Sequence, residues 1–450
     1  MKLTGLLTSE AEYMSSNLRD RLRIIKNTQK PGLPAVRRAA EHSEDVPPEL
    51  ISNGWEKAGY KTLKQVFQVR QRLAIPCVFP PALPIVIPDT ESCFMRGGGS
   101  AAVSISDLLF FDLETTGLSG GAGTVPFLAA FGRLIRSAPG KNAASLADYE
   151  LQITQYLLLD YPGESDFLDL ILGEFTGNPL LVSYNGKAFD TQILRTRCLM
   201  RGIQPPMPLH ADLLYPARRL WKRLLENCSQ GTIEKRILGI DRGDDISGAL
   251  APDIWFDFLR NGGTESLLDI CKHNRRDIHG LASIFALMVL IADDPIAASG
   301  KFTFDIENLA LRWHYYMRIT AAREAENISC KERAALLSGG KVLLNYAADK
   351  GGGQAALALG RFLLGSGFQN EGRQRLLSVA EGDFNAQYKA SALRFLAING
   401  ERCAGDCESA LEYVNKALNL NLNDARRAEF ERRKNRLIRK ILHARQSPGH

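Results

Sequence analysis

Phe111-Asp112-Leu113-Glu114-Thr115-Thr116-Gly117-Leu118 is the stretch on which the fold turns. It continues the apolar run Leu108-Leu109-Phe110-Phe111, which has the length and continuity of a strand buried on both faces. Alternation along a strand sends Asp112 and Glu114 to one face, about 6–7 Å apart. Two carboxylates so placed repel and raise each other's pKa. A cation between them removes the conflict, and oxygen donors suit hard divalent ions such as Mg²⁺ or Mn²⁺. A lone Asp-x-Glu is more often a pair of solvated strand-end acids. The apolar strand before it and the Thr-Thr-Gly-Leu after it favour the metal reading.

Two further pieces lie downstream. In Ser183-Tyr184-Asn185-Gly186-Lys187-Ala188-Phe189-Asp190, a buried strand (Leu180–Ser183) runs into a glycine turn, and Asp190 opens a helix. Asp190 either caps that helix or faces the strand-end acids across a cleft. Tyr184 and Asn185 either hold the loop or face substrate. In His273-Asn274-Arg275-Arg276-Asp277, the histidine and the last acid are four apart and share a helix face. Alone, that pair reads as a surface ion pair of little worth; beside the other two pieces, it reads as part of a site.

The three pieces, in this order, resemble the three exonuclease motifs of the DEDD superfamily, whose fold is ribonuclease H-like. The resemblance covers residues of about 105–295. More narrowly, the chain is similar to the bacterial YprB-like group of ribonuclease H-like proteins, through Cys228-Ser229, Thr232-Ile233-Glu234-Lys235, Ile237-Leu238-Gly239 and Phe258-Leu259-Arg260 as well. The resemblance implies that Asp112, Glu114, Asp190 and Asp277 hold two divalent ions, Mg²⁺ or Mn²⁺. It implies that His273 orients and deprotonates the attacking water, with Thr115, Thr116, Tyr184, Asn185 and Lys187 on the substrate side. One feature departs from the superfamily pattern. Its histidine branch usually has four residues between His and Asp, and its tyrosine branch three; here three residues separate His273 from Asp277. The borrowed chemistry is sound: two ions about 3.5–4 Å apart can activate water and stabilise the leaving oxyanion of a phosphodiester.

Around the motifs, Val125–Ile135 and Leu151–Leu159 read as strands. Phe167–Phe175, Thr191–Met200, Pro216–Leu225 and Glu265–Ile291 read as helices, the last with a break near Lys272. The expected class is therefore α/β: a ribonuclease H-like mixed sheet flanked by helices. Beyond Lys301 strand patterns stop. Helical segments at 355–364, 371–380, 386–396, 408–418 and 425–443 carry Ala-Leu and Leu-Gly pairs resembling tetratricopeptide-type repeats; a plain helical bundle is the other reading. Residues 1–100 read as an N-terminal extension ending in a Pro-rich connector (Pro76–Pro88) and Gly97–Gly99, residues 105–295 as the nuclease domain, and 301–450 as the helical domain.

Composition sets limits. With 450 residues, 45% of them hydrophobic and 24% charged, the chain can bury a normal core, which excludes wholesale disorder. The longest apolar run, Leu281–Ala292, is too short to span a bilayer. Lys2 and Leu3–Leu7 give way to Glu10 and Glu12 without a cleavage pattern, so a cytoplasmic protein without membrane association is expected. Eight scattered cysteines make neither a disulfide framework nor a zinc site.

A net charge of +6 permits nucleic-acid binding without proving it. Lys187, Arg195, Arg197, Arg218, Arg219, Lys222, Arg223, Lys235, Arg236, Arg275 and Arg276 offer a path for a phosphate backbone. Arg432, Arg433, Lys434, Arg436, Arg439 and Lys440 cluster on the last helix, where an amphipathic closing helix is the simpler explanation. Gly117–Gly123 lacks the ending of a P-loop and reads as a hairpin loop beside the metals. Asp212 reads as structural, His279 as incidental, and Asp241, Asp244 and Asp245 as solvated loop acids. The expected function is a metal-dependent 3′→5′ exonuclease on single-stranded DNA or RNA, its helical tail open to a protein partner. The alternative is a weakly active or inactive nucleic-acid-binding scaffold.

Overall fold

The computed structural model describes residues 46–74, 105–117, 121–136, 148–177, 179–323, 330–402 and 405–446. The expected Pro-rich connector and glycine break, and residues 118–120, lie outside the described residues. The chain divides into residues 1–47 and 48–450; the account below concerns the second unit.

In chain order the elements are α1 (Pro48–Ser52), β1 (Glu56–Gly59), β2 (Thr62–Ala74), β3 (Leu108–Thr115), β4 (Pro126–Arg136), β5 (Asp148–Leu158), α2 (Glu164–Gly173), β6 (Leu180–Ser183), α3 (Asp190–Met200) and β7 (Leu209–Asp212). There follow α4 (Leu214–Trp221), α5 (Gln230–Ile233) continued by one π-helical turn (Glu234–Leu238), α6 (Ala251–Asn261), α7 (Glu265–Asp293) and α8 (Pro295–Ser299). The seven strands form one mixed sheet in the order β1-β2-β5-β4-β3-β6-β7. β3 pairs antiparallel with β4 and parallel with β6, and β6 pairs parallel with β7. The sheet thus reaches back to residues 56–74, where the sequence carries only a weak pattern: β2 pairs with β5 along its whole length.

Burial on both faces explains the unbroken apolar run of β3. On one face Phe110 meets Phe285 of α7 edge-on, with ring centroids 5.6 Å apart. On the other, Phe111 stacks on Phe131 of β4 at 5.2 Å and meets Phe175. By alternation Asp112 and Glu114 share the face of Phe110, so both acids point toward α7. That helix runs unbroken through Lys272. Its second half is buried nearly all round from Leu281 to Ala292, as its all-apolar sequence requires. Gly132 of β4 lets α7 approach closely: a Cβ there would lie 2.7 Å from Ile278 Cγ2.

A run of helices follows: α9 (Ile306–Arg323), α10 (Cys330–Asp349), α11 (Gly353–Gly365), α12 (Gln369–Glu381), α13 (Ala386–Arg402), α14 (Cys407–Leu418) and α15 (Asp424–Gln446). The first two have no counterpart in the sequence pattern read above. Each helix packs on the next. The buried cluster that begins in β3 continues through α7 as far as Leu396 of α13. A second cluster, with Leu393, Val414, Phe430 and Leu437, joins α13 to α15. Arg433, Arg436 and Lys440 of α15 close on the carboxylate of Glu401 at 3.0, 2.7 and 2.9 Å, so half of the basic cluster there clamps the last helix. No described helix is long and apolar enough to cross a membrane.

Candidate active site

Three elements converge at the end of β3. That strand supplies Asp112 and Glu114, the start of α3 supplies Asp190, and α7 supplies His273, Asn274 and Asp277. One oxygen each of Glu114 and Asp277 and a ring nitrogen of His273 lie within 4.8 Å of one another. Nε2 of His273 is 3.2 Å from Asp277 Oδ2. Asn274 is wholly buried and donates from Nδ2 to Asp112 Oδ2 at 2.7 Å. Its own oxygen accepts from Gln155 at 2.9 Å, so its orientation is set from the sheet.

The acids are held against their electrostatic preference. Burial pushes the Asp112 carboxyl well up, and repulsion from Asp277, Asp190 and Glu114 adds to it. Glu114 is raised by burial and by Asp277 and Asp190. Asp190 is pushed up to about 7 by burial, then by Asp212 and Asp277. Burial raises Asp277 too, although His273 and Arg242 pull against it. Among the described residues, no basic side chain pairs with Glu114 or Asp190. Gly248 leaves space over the cluster: a Cβ there would stand 3.0 Å from His273 Nε2 and 3.8 Å from Glu114 Oε1. Crowded oxygen donors, one imidazole and a space that a side chain would fill fit a hard divalent ion.

A second ring of side chains, unassigned or misread from sequence, fastens the site. Asp245 is a correction: it is nine-tenths buried, not a solvated loop acid. It sits 2.9 Å from His273 Nδ1 and 2.9 Å from Arg276 Nη1. Burial would raise its carboxyl, but its contacts with His273 and Arg276 hold it below the usual range. Arg242 donates to both oxygens of Glu234, at 2.6 and 2.8 Å, and meets Asp277 Oδ1 at 2.6 Å. Gln230 donates to Glu234 and to the Asp277 carbonyl. The Thr232–Lys235 stretch carried the only sequence signal for this ring.

The loop between β6 and α3 is shaped by Asp212, which accepts from the backbone N–H groups of Asn185, Lys187 and Leu214 at 2.7, 3.1 and 3.1 Å. Asn185 is left-handed there, at φ +65°. Gly186 permits the close turn, since a Cβ would crowd Ser183 Oγ and Asp190 Oδ2. Thr115 Oγ1 donates to the Gly117 carbonyl, and Thr116 Oγ1 accepts from the Val125 N–H, closing the β3–β4 hairpin. The Tyr184 hydroxyl donates to the Cys228 carbonyl, and burial raises its pKa. These groups therefore hold loops. Lys187 instead lines a cavity of about 280 Å³ with Gln192, Arg195 and Met207.

Several members of the basic path are engaged within the protein. Arg197 pairs with Glu164, Arg223 with Asp305 and Arg276 with Asp245, and Arg275 lies 3.9 Å from the ring centre of Phe67.

Residues 109–289 match the family described as the RNase_H superfamily. They form a ribonuclease H-like domain. Over 188 residues the chain is 39% identical to "Uncharacterized protein YprB" of Bacillus subtilis (strain 168). The match covers 41% of this chain and 42% of that protein, so it spans well under half of either. The ribonuclease H-like domain thus contains all of the converging acids. Its fold is of the nuclease type.

Proposed function

We propose that the protein is a metal-dependent nuclease, a 3′→5′ exonuclease that hydrolyses single-stranded DNA or RNA. The observation that carries the reading is the convergence of Asp112, Glu114, Asp190 and Asp277, from three elements, at the cost of raised pKa values. Folding alone would select against such crowding. These four acids would hold two divalent ions, Mg²⁺ or Mn²⁺, which when bound activate water and stabilise the leaving oxyanion.

His273 is the base. Asp245 accepts the Nδ1 proton and holds the ring so that Nε2 lies on the side of Glu114 and Asp277; with Asp277 turned to a metal ion, Nε2 would take the proton of the attacking water. Asp245 is thus a positioning residue. Asn274 fixes the rotamer of Asp112. Lys187 and Arg195, which line one cavity, meet the phosphate backbone of the strand. Residues 301–450 are a tetratricopeptide-like domain that takes a protein partner. The nuclease domain is residues 105–295, with β1 and β2 extending its sheet from the N-terminal 1–100 segment, and the protein works in the cytoplasm.

A second reading has one observation in its favour. Arg242 and His273 occupy both oxygens of Asp277, as expected of a weakly active nucleic-acid-binding scaffold. The experiment that separates the two readings uses 5′-labelled single-stranded DNA and RNA with Mn²⁺, Mg²⁺ or EDTA, beside Asp112→Asn. A metal-dependent ladder, absent from the variant and from a circular strand, supports the exonuclease. Full-length strand in every lane, with the protein folded, leaves the scaffold; a cut circle makes it an endonuclease.

A further inference from the structure

The helical region holds a cavity of about 460 Å³ between α9, α10 and α11. It is far along the chain from the acids of the nuclease site, and its chemistry is of the opposite sign. Arg318 of α9 and Arg361 of α11 both line it. Among the described residues neither forms an ion pair; Arg361 rests over the Phe395 ring, 4.5 Å from its centre. His314 lines the same cavity, is more than nine-tenths buried, and has an Nδ1 with no hydrogen-bond partner. Burial, reinforced by Arg318, pulls that imidazole down to about 4, so the ring is neutral at pH 7. Its face is set by Phe362, edge-on at 4.9 Å, another lining residue. Gly340 lets α10 pack against the ring: a Cβ there would stand 3.4 Å from Nδ1. The remaining wall includes Leu337 and Ala358.

Native proteins rarely retain a buried polar atom without a partner. Beside the His314 nitrogen stand two exposed guanidinium groups without ion-pair partners among the described residues. A bound oxyanion accepts from the forked N–H groups of both arginines. Two positive charges match a dianion better than a single carboxylate. The aromatic and aliphatic wall suits an uncharged, flat organic body, and the volume falls in the usual range for small-ligand sites. We infer that this cavity binds a terminal phosphate monoester carried on a nucleobase-bearing group, either a free nucleotide or the phosphorylated end of a nucleic-acid strand. Arg318 and Arg361 hold the phosphate, and Phe362 bounds the organic part. The site stands on its own residues and does not depend on the nuclease reading.

The test is calorimetric titration of the full chain in EDTA, which removes divalent-dependent binding at the acid cluster. The probes are inorganic phosphate, a nucleoside 5′-monophosphate, and a short single strand with and without a 5′-phosphate. An acidic peptide serves as the competing chemistry. The expected result is binding of phosphomonoesters, weakened about 10-fold or more in Arg318→Ala and in Arg361→Ala, with His314 ring signals shifting in NMR on addition. Both arginines are exposed, so the variants should fold like the parent. Preference for the monophosphate names a free nucleotide as the source; preference for the phosphorylated strand names a nucleic-acid end. The inference is overturned if no phosphomonoester binds, if both variants bind as the parent does, if the strand binds equally without its phosphate, or if only the peptide binds.

Discussion

Two buried acidic sites in this chain follow opposite rules. At the sheet end, four carboxylates face one another, and burial and repulsion push them up. In the helical region one carboxylate, Glu401, gathers Arg433, Arg436 and Lys440. Burial opposes its ionisation as well, but the hydrogen bonds of Arg436 and Lys440 prevail and bring it to about 2. The second arrangement is what stability selects: a charge taken from water and given partners. The first is what stability penalises, and it persists where something from outside the chain completes it. The same residue type marks a candidate active site in one place and a clamp in the other. Only the neighbouring charges tell them apart.

The widest difference should come from removing one acid at each site. Asp112→Asn should lower metal-dependent strand cleavage on the order of 10³-fold or more, while its melting temperature in EDTA stays equal to or above the parent's, because a repelling charge has gone. An unaltered cleavage rate would break the comparison at its first term. Glu401→Ala should do the reverse: cleavage per folded molecule unchanged, but the helical region destabilised by roughly 2–4 kcal/mol, read by chemical denaturation.

The same clamp predicts a pH dependence. The folded-state pKa of Glu401 is depressed, so its stabilisation is complete above its ordinary value near 4.5 and fades as pH falls from there toward about 2. The difference in stability between parent and Glu401→Ala should narrow across that window. A gap that does not narrow would separate the clamp from its charge. Divalent ions probe the other site. Mn²⁺ at about a hundredfold over its dissociation constant should stabilise the parent by about 2–3 kcal/mol, and should do little for Asp112→Asn or Asp190→Asn; equal shifts in all three would mean the ion binds elsewhere. The smallest effect belongs to the loop that presents Asp190. Asn185→Ala puts an ordinary side chain at φ +65° and should cost about 1 kcal/mol, with Asn185→Gly nearer to neutral. Equal stability of the two would show that the loop relaxes.

The central strands were readable because burial on both faces leaves an unmistakable apolar run: Leu108–Phe111 and Leu180–Ser183 sit where their sequences place them. β1 and β2 were not. Val66, in β2, is half exposed and Gln65 is buried, so neither alternation nor a continuous run survives. The break read near Lys272 fails for a related reason: the polar stretch His273–Asp277 interrupts the apolar pattern because it forms the site, not because the helix ends. Asp112 and Glu114 share a strand face and His273 and Asp277 a helix face, as their spacings suggest; that the two faces meet is what the resemblance implied and no spacing records. Asp245 and Arg242 did not show themselves as part of the site, and Glu234 did so only within the Thr232–Lys235 stretch. They reach the site from a loop and a π-helical turn, and no periodicity records where such segments cross. Asp245 carries no local sign of the imidazole that it meets 28 positions later.

Gly132 has a significance beyond close packing. It is the shim that sets the gap between two rigid bodies, one carrying Asp112 and Glu114 and the other His273 and Asp277. Ile278, which rests on it, is the residue next to Asp277. A methyl group at position 132 would wedge the helix outward at the one point where the two halves of the site are gauged against each other, and the acids would part without any of them having been touched.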